Sequence, residues 1–102
     1  MKYLRSLLLI FPFFCLSQSN FERSEVYFQQ EEFDLAKPLF QVYLEKHPNS
    51  LKSKEYLGDI ASYSKDWETA IDYYKNLVSM DEINANYHFK YGGATSIKST
   101  RD

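Results

Sequence analysis

Residues 66–70 read Asp66-Trp67-Glu68-Thr69-Ala70, and 34 residues earlier the chain reads Glu32-Phe33-Asp34-Leu35-Ala36. In both stretches a carboxylate precedes a large ring, and alanine follows three residues after the ring. The same spacing holds outward from this pair. Phe40 matches Tyr74, Tyr43 matches Leu77, and Ser24 matches Gly58 and then Gly92. Large residues recur as large and small as small. A fixed period of this length marks a repeat architecture, in which each unit leaves an apolar face that its neighbour covers.

Within each unit the apolar spacing is helical. Tyr56, Leu57, Ile60, Ala61 and Ser64 share one helix face, and Trp67, Ala70, Ile71, Tyr74, Leu77 and Val78 form a second continuous stripe. Asp66 stands where an N-cap is needed, its carboxylate ready to accept from the free amides of the first turn. The first unit repeats the pattern with Val26, Tyr27 and Gln30, then Phe33, Ala36, Leu39, Phe40 and Tyr43. Its second helix ends at His47-Pro48-Asn49-Ser50, because proline disfavours helical geometry in the residue before it. Pro38 lies near the start of that helix and is expected to cost one early backbone bond. Two helices joined by two or three residues run antiparallel. Gly58, Ala61 and Ala70 are expected where the helices of one hairpin cross, since a larger side chain there would force the axes apart. Phe33, Phe40, Trp67 and Tyr74 are expected to fill the gap to the next hairpin.

Composition agrees with helices held together by bulky side chains. The 102 residues include only three Gly and three Pro, while aromatics make up 18%. That profile disfavours turn-rich β folds and disorder. The formal charge is −2 and both signs are spread along the chain. No basic run is available to neutralise phosphates, so nucleic acid is not an expected partner.

The first seventeen residues read as an export address. Lys2 and Arg5 precede the apolar run Leu7–Leu16, and the small residues Cys15 and Ser17 follow two apart. This is the layout of a signal peptide, with cleavage expected between Ser17 and Gln18. Retention as an anchor is the alternative, although a run of about ten residues is well short of the roughly 20 that span a bilayer. A lipid anchor on Cys15 is a further one, opposed by the large Phe14 before it. Cleavage would remove Lys2 and Arg5, take the formal charge from −2 to −4, and leave a chain without cysteine or a membrane span.

Taken together, these residues resemble the tetratricopeptide repeat. Counted from Leu51 as first residue, the family's Leu-Gly pair falls on Leu57 and Gly58, its central aromatic on Trp67, its small residue on Ala70, its second aromatic on Tyr74 and its last apolar position on Leu77. In the preceding unit the small positions fall on Ser24 and Ala36, the large ones on Tyr27, Phe33, Phe40 and Tyr43, and the closing proline on Pro48. In the next unit Tyr91-Gly92 stands for Leu-Gly. Departures are Asn20 and Arg23 in the first unit and Glu82 for the second closing proline. The resemblance covers residues 18–97 and implies an all-α fold: antiparallel helix hairpins stacked as a short right-handed α-solenoid of about two and a half repeats. The half unit begins at Ala85 and its helix is expected to reach about Ile97, with residues 98–102 a polar, frayed tail. Gly92-Gly93 weakens that helix by roughly 1 kcal/mol per glycine. It serves either as a polar closing helix or as the mark of a truncated reading frame.

The resemblance further implies a non-catalytic protein–protein interaction scaffold whose first helices line a concave groove for a peptide or helix of a partner protein. The groove residues are expected to be Phe21, Glu25, Phe28 and Gln29, then Lys52, Glu55, Asp59, Ser62 and Tyr63, then Asn86, Phe89 and Lys90. Aromatic anchors beside the carboxylates Glu25, Glu55 and Asp59 suggest a partner with basic side chains. One subset of the family clamps a partner's C-terminal carboxylate with Lys, Asn and Arg; the corresponding positions carry Phe21, Glu25 and Tyr56, with Asn86 and Lys90 further on, and two of the first three do not suit an anion, so that function is not expected. The exposed ends of so short an array are also places for self-association. The other reading is a fragment of a longer repeat protein without independent activity. His47 and His88 stand alone, no metal-ligand spacing occurs, and nothing marks an activated nucleophile or a phosphate loop, so neither catalysis nor a cofactor is expected. The expected workplace is the periplasm, the cell surface or the exterior.

Overall fold

A computed structural model of the chain describes residues 19–101, and the expected signal peptide, Cys15 included, lies outside the described residues. Five helices follow one another: α1 Asn20–Gln29, α2 Phe33–Lys46, α3 Leu51–Tyr63, α4 Trp67–Met80 and α5 Ala85–Arg101. No strand occurs among the described residues. Helices α1 and α2 form one hairpin, α3 and α4 a second, and α5 packs on α4. This is the expected stack of helix hairpins.

Four of the five helices start where a side chain satisfies free amides, and α2 alone opens without a side-chain cap. Ser19 accepts from the Glu22 N–H, Ser50 from Ser53, and Asp66 Oδ1 from Thr69 at 3.3 Å. Asn84 Oδ1 accepts from the N–H groups of Asn86 and Tyr87 and opens α5. Both hairpin turns share one device. Glu31 and Lys65, 34 residues apart, adopt left-handed backbone at φ 60° and 65°. The Glu31 and Glu32 N–H groups then bond to the Phe28 and Tyr27 carbonyls, as those of Lys65 and Asp66 bond to Ser62 and Ala61. This Schellman arrangement satisfies the last carbonyls of α1 and α3 and turns the chain back on itself.

The repeat positions pack as their sizes require. A Cβ on Gly58 would stand 2.5 Å from Tyr74 Cε1, so only glycine lets that ring lie across α3. Ser24, the matching position in α1, is fully buried, and its hydroxyl donates back to the Asn20 carbonyl. Ala36, Phe40, Leu57 and Ile60 form the core between the hairpins, flanked by Phe21, Phe28, Phe33 and Tyr56. Ala61, Ala70, Tyr74, Leu77, Tyr87 and Ala94 form the second core, between the second hairpin and α5, with Trp67, Ile71 and Tyr91 against it.

Two sequence expectations change, and the expected cost of Pro38 is met without a break in its helix. Val26, placed on the apolar face of α1, is 46% exposed, and Gln30 is exposed too. Its repeat partner Ile60 is buried against the first hairpin, whereas no described helix lies on the matching side of α1. Pro38 is carried within an unbroken α2. The bond it cannot make would go to the Asp34 carbonyl, on an exposed residue where water can serve. Finally, α5 does not end near Ile97: residues 98–101, expected as a frayed tail, continue the helix to Arg101. The hydroxyls of Thr95 and Thr100 donate to carbonyls one turn back, and Lys98 and Arg101 place positive charge at the helix's negative end.

Candidate partner-binding site

The first helix of each unit faces its successor along one side of the stack, and side chains cross from α1 to α3 and from α3 to α5. The α1–α3 crossing is aromatic. Phe28 meets Tyr56 with centroids 4.7 Å apart and Tyr63 at 6.3 Å, and Phe33 stacks on Tyr63 at 4.7 Å with planes 13° apart. Tyr56 donates its hydroxyl to Glu25 Oε2 at 2.9 Å. Burial, then that bond, pushes the Tyr56 phenol up to about 12.

The α3–α5 crossing is ionic. Lys90 Nζ donates to Glu55 Oε2 at 2.8 Å and to both oxygens of Asp59 at 2.9 and 3.0 Å. Asn86 adds a bond to Glu55 Oε2 at 3.0 Å, and Lys52 Nζ lies 3.6 Å from Glu55 Oε1. Tyr74 donates to Asp59 Oδ1 at 2.6 Å, with Ser62 Oγ 3.0 Å from the phenol oxygen. Glu55 is only 8% exposed. Burial alone would raise its pKa, but the bonds and charge of Lys90, helped by Lys52, hold it below the ordinary carboxylate range. Burial likewise acts to lower Lys90, and its two carboxylate partners more than reverse this, so its pKa is raised. Each partner keeps the other charged. The Tyr74 phenol is raised by burial first and by Asp59 second, so it remains a donor.

Beside this network lies an open cleft of ≈ 350 Å³. Tyr63, Trp67, Phe89 and Ile97 supply its apolar wall, while Asp59, Ser62, Tyr74 and Lys90 supply its polar lining. Tyr63 is 63% exposed and Phe89 79% exposed.

Most of the residues expected in the groove do converge. Lys52, Glu55, Asp59, Asn86 and Lys90 meet in one network, and Ser62, Tyr63 and Phe89 adjoin it at the cleft. Phe21 and Phe28 take a different part. Both are half-buried; Phe21 stands against Phe40, Tyr43 and Tyr56, and Phe28 against Phe33 and Tyr56. Gln29 is exposed near the end of α1. Of the carboxylates expected to await a basic partner, Glu55 and Asp59 already hold the chain's own cations, while Glu25 accepts from the Tyr56 hydroxyl. Sequence reasoning overlooked Trp67 and Ile97 as cleft residues. Ile97 falls eight residues after Phe89 and four after Gly93, which is helical spacing along one flank of α5, and that was the available signal.

Among the described residues no group of His, Cys, Asp and Glu could hold a metal ion, and no helix is long and apolar enough to cross a membrane. Comparison with curated proteins gives no match. A family model described as tetratricopeptide repeat matches residues 18–50, the first hairpin and the turn after it, and so supports a tetratricopeptide-type assignment for this stack of helices.

Proposed function

We propose that this chain is a non-catalytic protein–protein interaction scaffold whose α1, α3 and α5 side presents a concave groove to a peptide or helix of a partner protein. Tetratricopeptide repeats generally mediate protein–protein interaction. The observation that carries the site is the cleft between α3 and α5, flanked by the exposed rings of Tyr63 and Phe89. Aromatic side chains around a pocket are the usual anchors of interfaces. The occupant that fits is an apolar side chain of the partner. A basic one would have to displace Lys90 from Glu55 and Asp59, and so gains little. The scaffold works outside the cytoplasm after removal of residues 1–17, a reading that rests on Lys2, Arg5 and the apolar run Leu7–Leu16.

The test uses capture from an envelope fraction with wild type and with Tyr63→Ser/Ile97→Ser, which strips the cleft wall and leaves both cores intact. Loss of the captured protein is expected with the helical fold retained and the thermal midpoint lowered by a few degrees at most, since Tyr63 also stacks on Phe33. An identical captured set would overturn the cleft as the binding site.

A further inference from the structure

Gly58 and Gly92 occupy the same position of successive repeats, yet their surroundings differ completely. A Cβ on Gly58 would strike the Tyr74 ring, whereas a Cβ on Gly92 would meet nothing within 4 Å, and the same holds for Gly93. Neither has positive φ, so the backbone does not require glycine. Glycine in mid-helix weakens a helix relative to alanine. Among the described residues nothing offsets that weakening at Gly92. The reason visible at Gly58 is close approach of a ring.

The covered face of α3 shows what fits the open face of α5. There an antiparallel helix lays an aromatic ring across the glycine. On α5 the open face is formed by Ala85, His88, Phe89, Gly92, Ser96 and Ser99, all exposed and spaced along one side of the helix. No Lys, Arg, Asp or Glu stands among them. A two-fold axis brings each group of a helix near its own copy, so a face without formal charge suits pairing with itself. Phe89, 79% exposed, lies three residues from Gly92. An antiparallel pair with its axis between residues 90 and 91 sets Phe89 of each helix level with Gly92 of the other, and Ala85 level with Ser96. One register therefore covers both exposed rings and both open glycines.

We propose that α5 pairs antiparallel with α5 of a second copy of this chain, the Phe89 ring of each copy seated over Gly92 of the other. The pairing continues the helix stack by one layer. One pair of helices about 25 Å long makes a small interface, so association is expected in the range of tens to hundreds of micromolar.

Sedimentation velocity of the full chain from about 5 μM to about 1 mM tests this, with Gly92→Ala and Gly92→Leu measured in parallel. Each substitution lands in open space in the single chain, so the thermal midpoint is expected to hold or rise by a few degrees as helix propensity improves. At the pairing register each places a Cβ against the Phe89 ring, and the dimer is expected to weaken about tenfold for alanine and more for leucine. Residues 1–17 are common to all three chains, so association driven by that stretch leaves them alike. A wild type that stays monomeric throughout, or variants that associate as wild type does, would overturn the proposal. Gly92 does not line the cleft and Phe89 stands at its rim, but the partner-binding test replaces only Tyr63 and Ile97, so the two outcomes are read separately.

Discussion

The α1–α3 junction and the α3–α5 junction join the same repeat step with opposite chemistry. At the first, Phe21 and Phe28 of α1 interlock with Tyr56 and Tyr63 of α3, joined by Phe33 and Phe40 of α2, and Phe40 stacks on Tyr56 with centroids 4.6 Å apart and planes 16° apart. At the second, one ammonium is shared by two carboxylates beside an open cleft. Ring contacts gain from removing apolar area from water and are insensitive to pH and salt. Charge pairs depend on both partners staying ionised and on limited screening. A stack can thus hold its base firmly and leave its last helix adjustable, next to the surface where a partner would bind.

The sharpest way to break this contrast is Phe40→Ala. Phe40 is fully buried between the hairpins, so its removal is expected to cost about 3–5 kcal/mol, read as a lower urea midpoint. A cost under about 1 kcal/mol would show that rings do not carry the first junction. Next comes Lys90→Met, which strands two carboxylates, one of them Glu55, nearly buried. About 1–3 kcal/mol is expected, less than for a fully buried pair because Lys90 keeps some contact with water. Hydrogen exchange should quicken in α5 and stay unchanged in α1; equal quickening in both would erase the distinction.

The pH response sharpens it further. The folded pKa of Glu55 is lowered from 4.5, so its contribution is present above 4.5 and is lost as pH falls through the folded value. That of Lys90 is raised from 10.5, so its contribution is present below 10.5 and is lost as pH rises through the folded value. Stability should fall on either side of those limits, with Lys90→Met removing the part carried by this pair; the raised phenols of Tyr56 and Tyr74 lose stability above pH 10 in wild type and variant alike. The smallest effect expected is at Lys65, held at φ 65°. Lys65→Gly relieves left-handed backbone at the second hairpin turn and should raise stability by up to about 1 kcal/mol, read as a higher urea midpoint, without touching either junction. A drop would mean the lysine side chain contributes there.

Periodicity was enough to locate the hairpins, because a ring or a small residue 34 positions on must face the same neighbour. Asp66 as a cap and Pro48 as a stop were equally plain, being local chemistry. The candidate site was half legible. Charged residues on the first helices were recognisable, but whether Glu55 and Asp59 awaited a partner or already held Lys90 depended on a residue 31 to 35 positions away. The end of α5 was misjudged because two glycines lower propensity locally, while Tyr87, Ala94 and the packing on α4 hold the helix in place.

By itself the sequence determined the all-helical hairpin repeat and the demand for small residues where helices cross, since both follow from spacing and side-chain size along the chain. Only the tertiary structure decided which charges cancel one another, which rings are packing and which line a cleft, and that Gly58 is filled while Gly92 stands open. Those outcomes depend on atoms brought together from distant positions, and spacing along a chain carries no record of whether a neighbour is there to meet them.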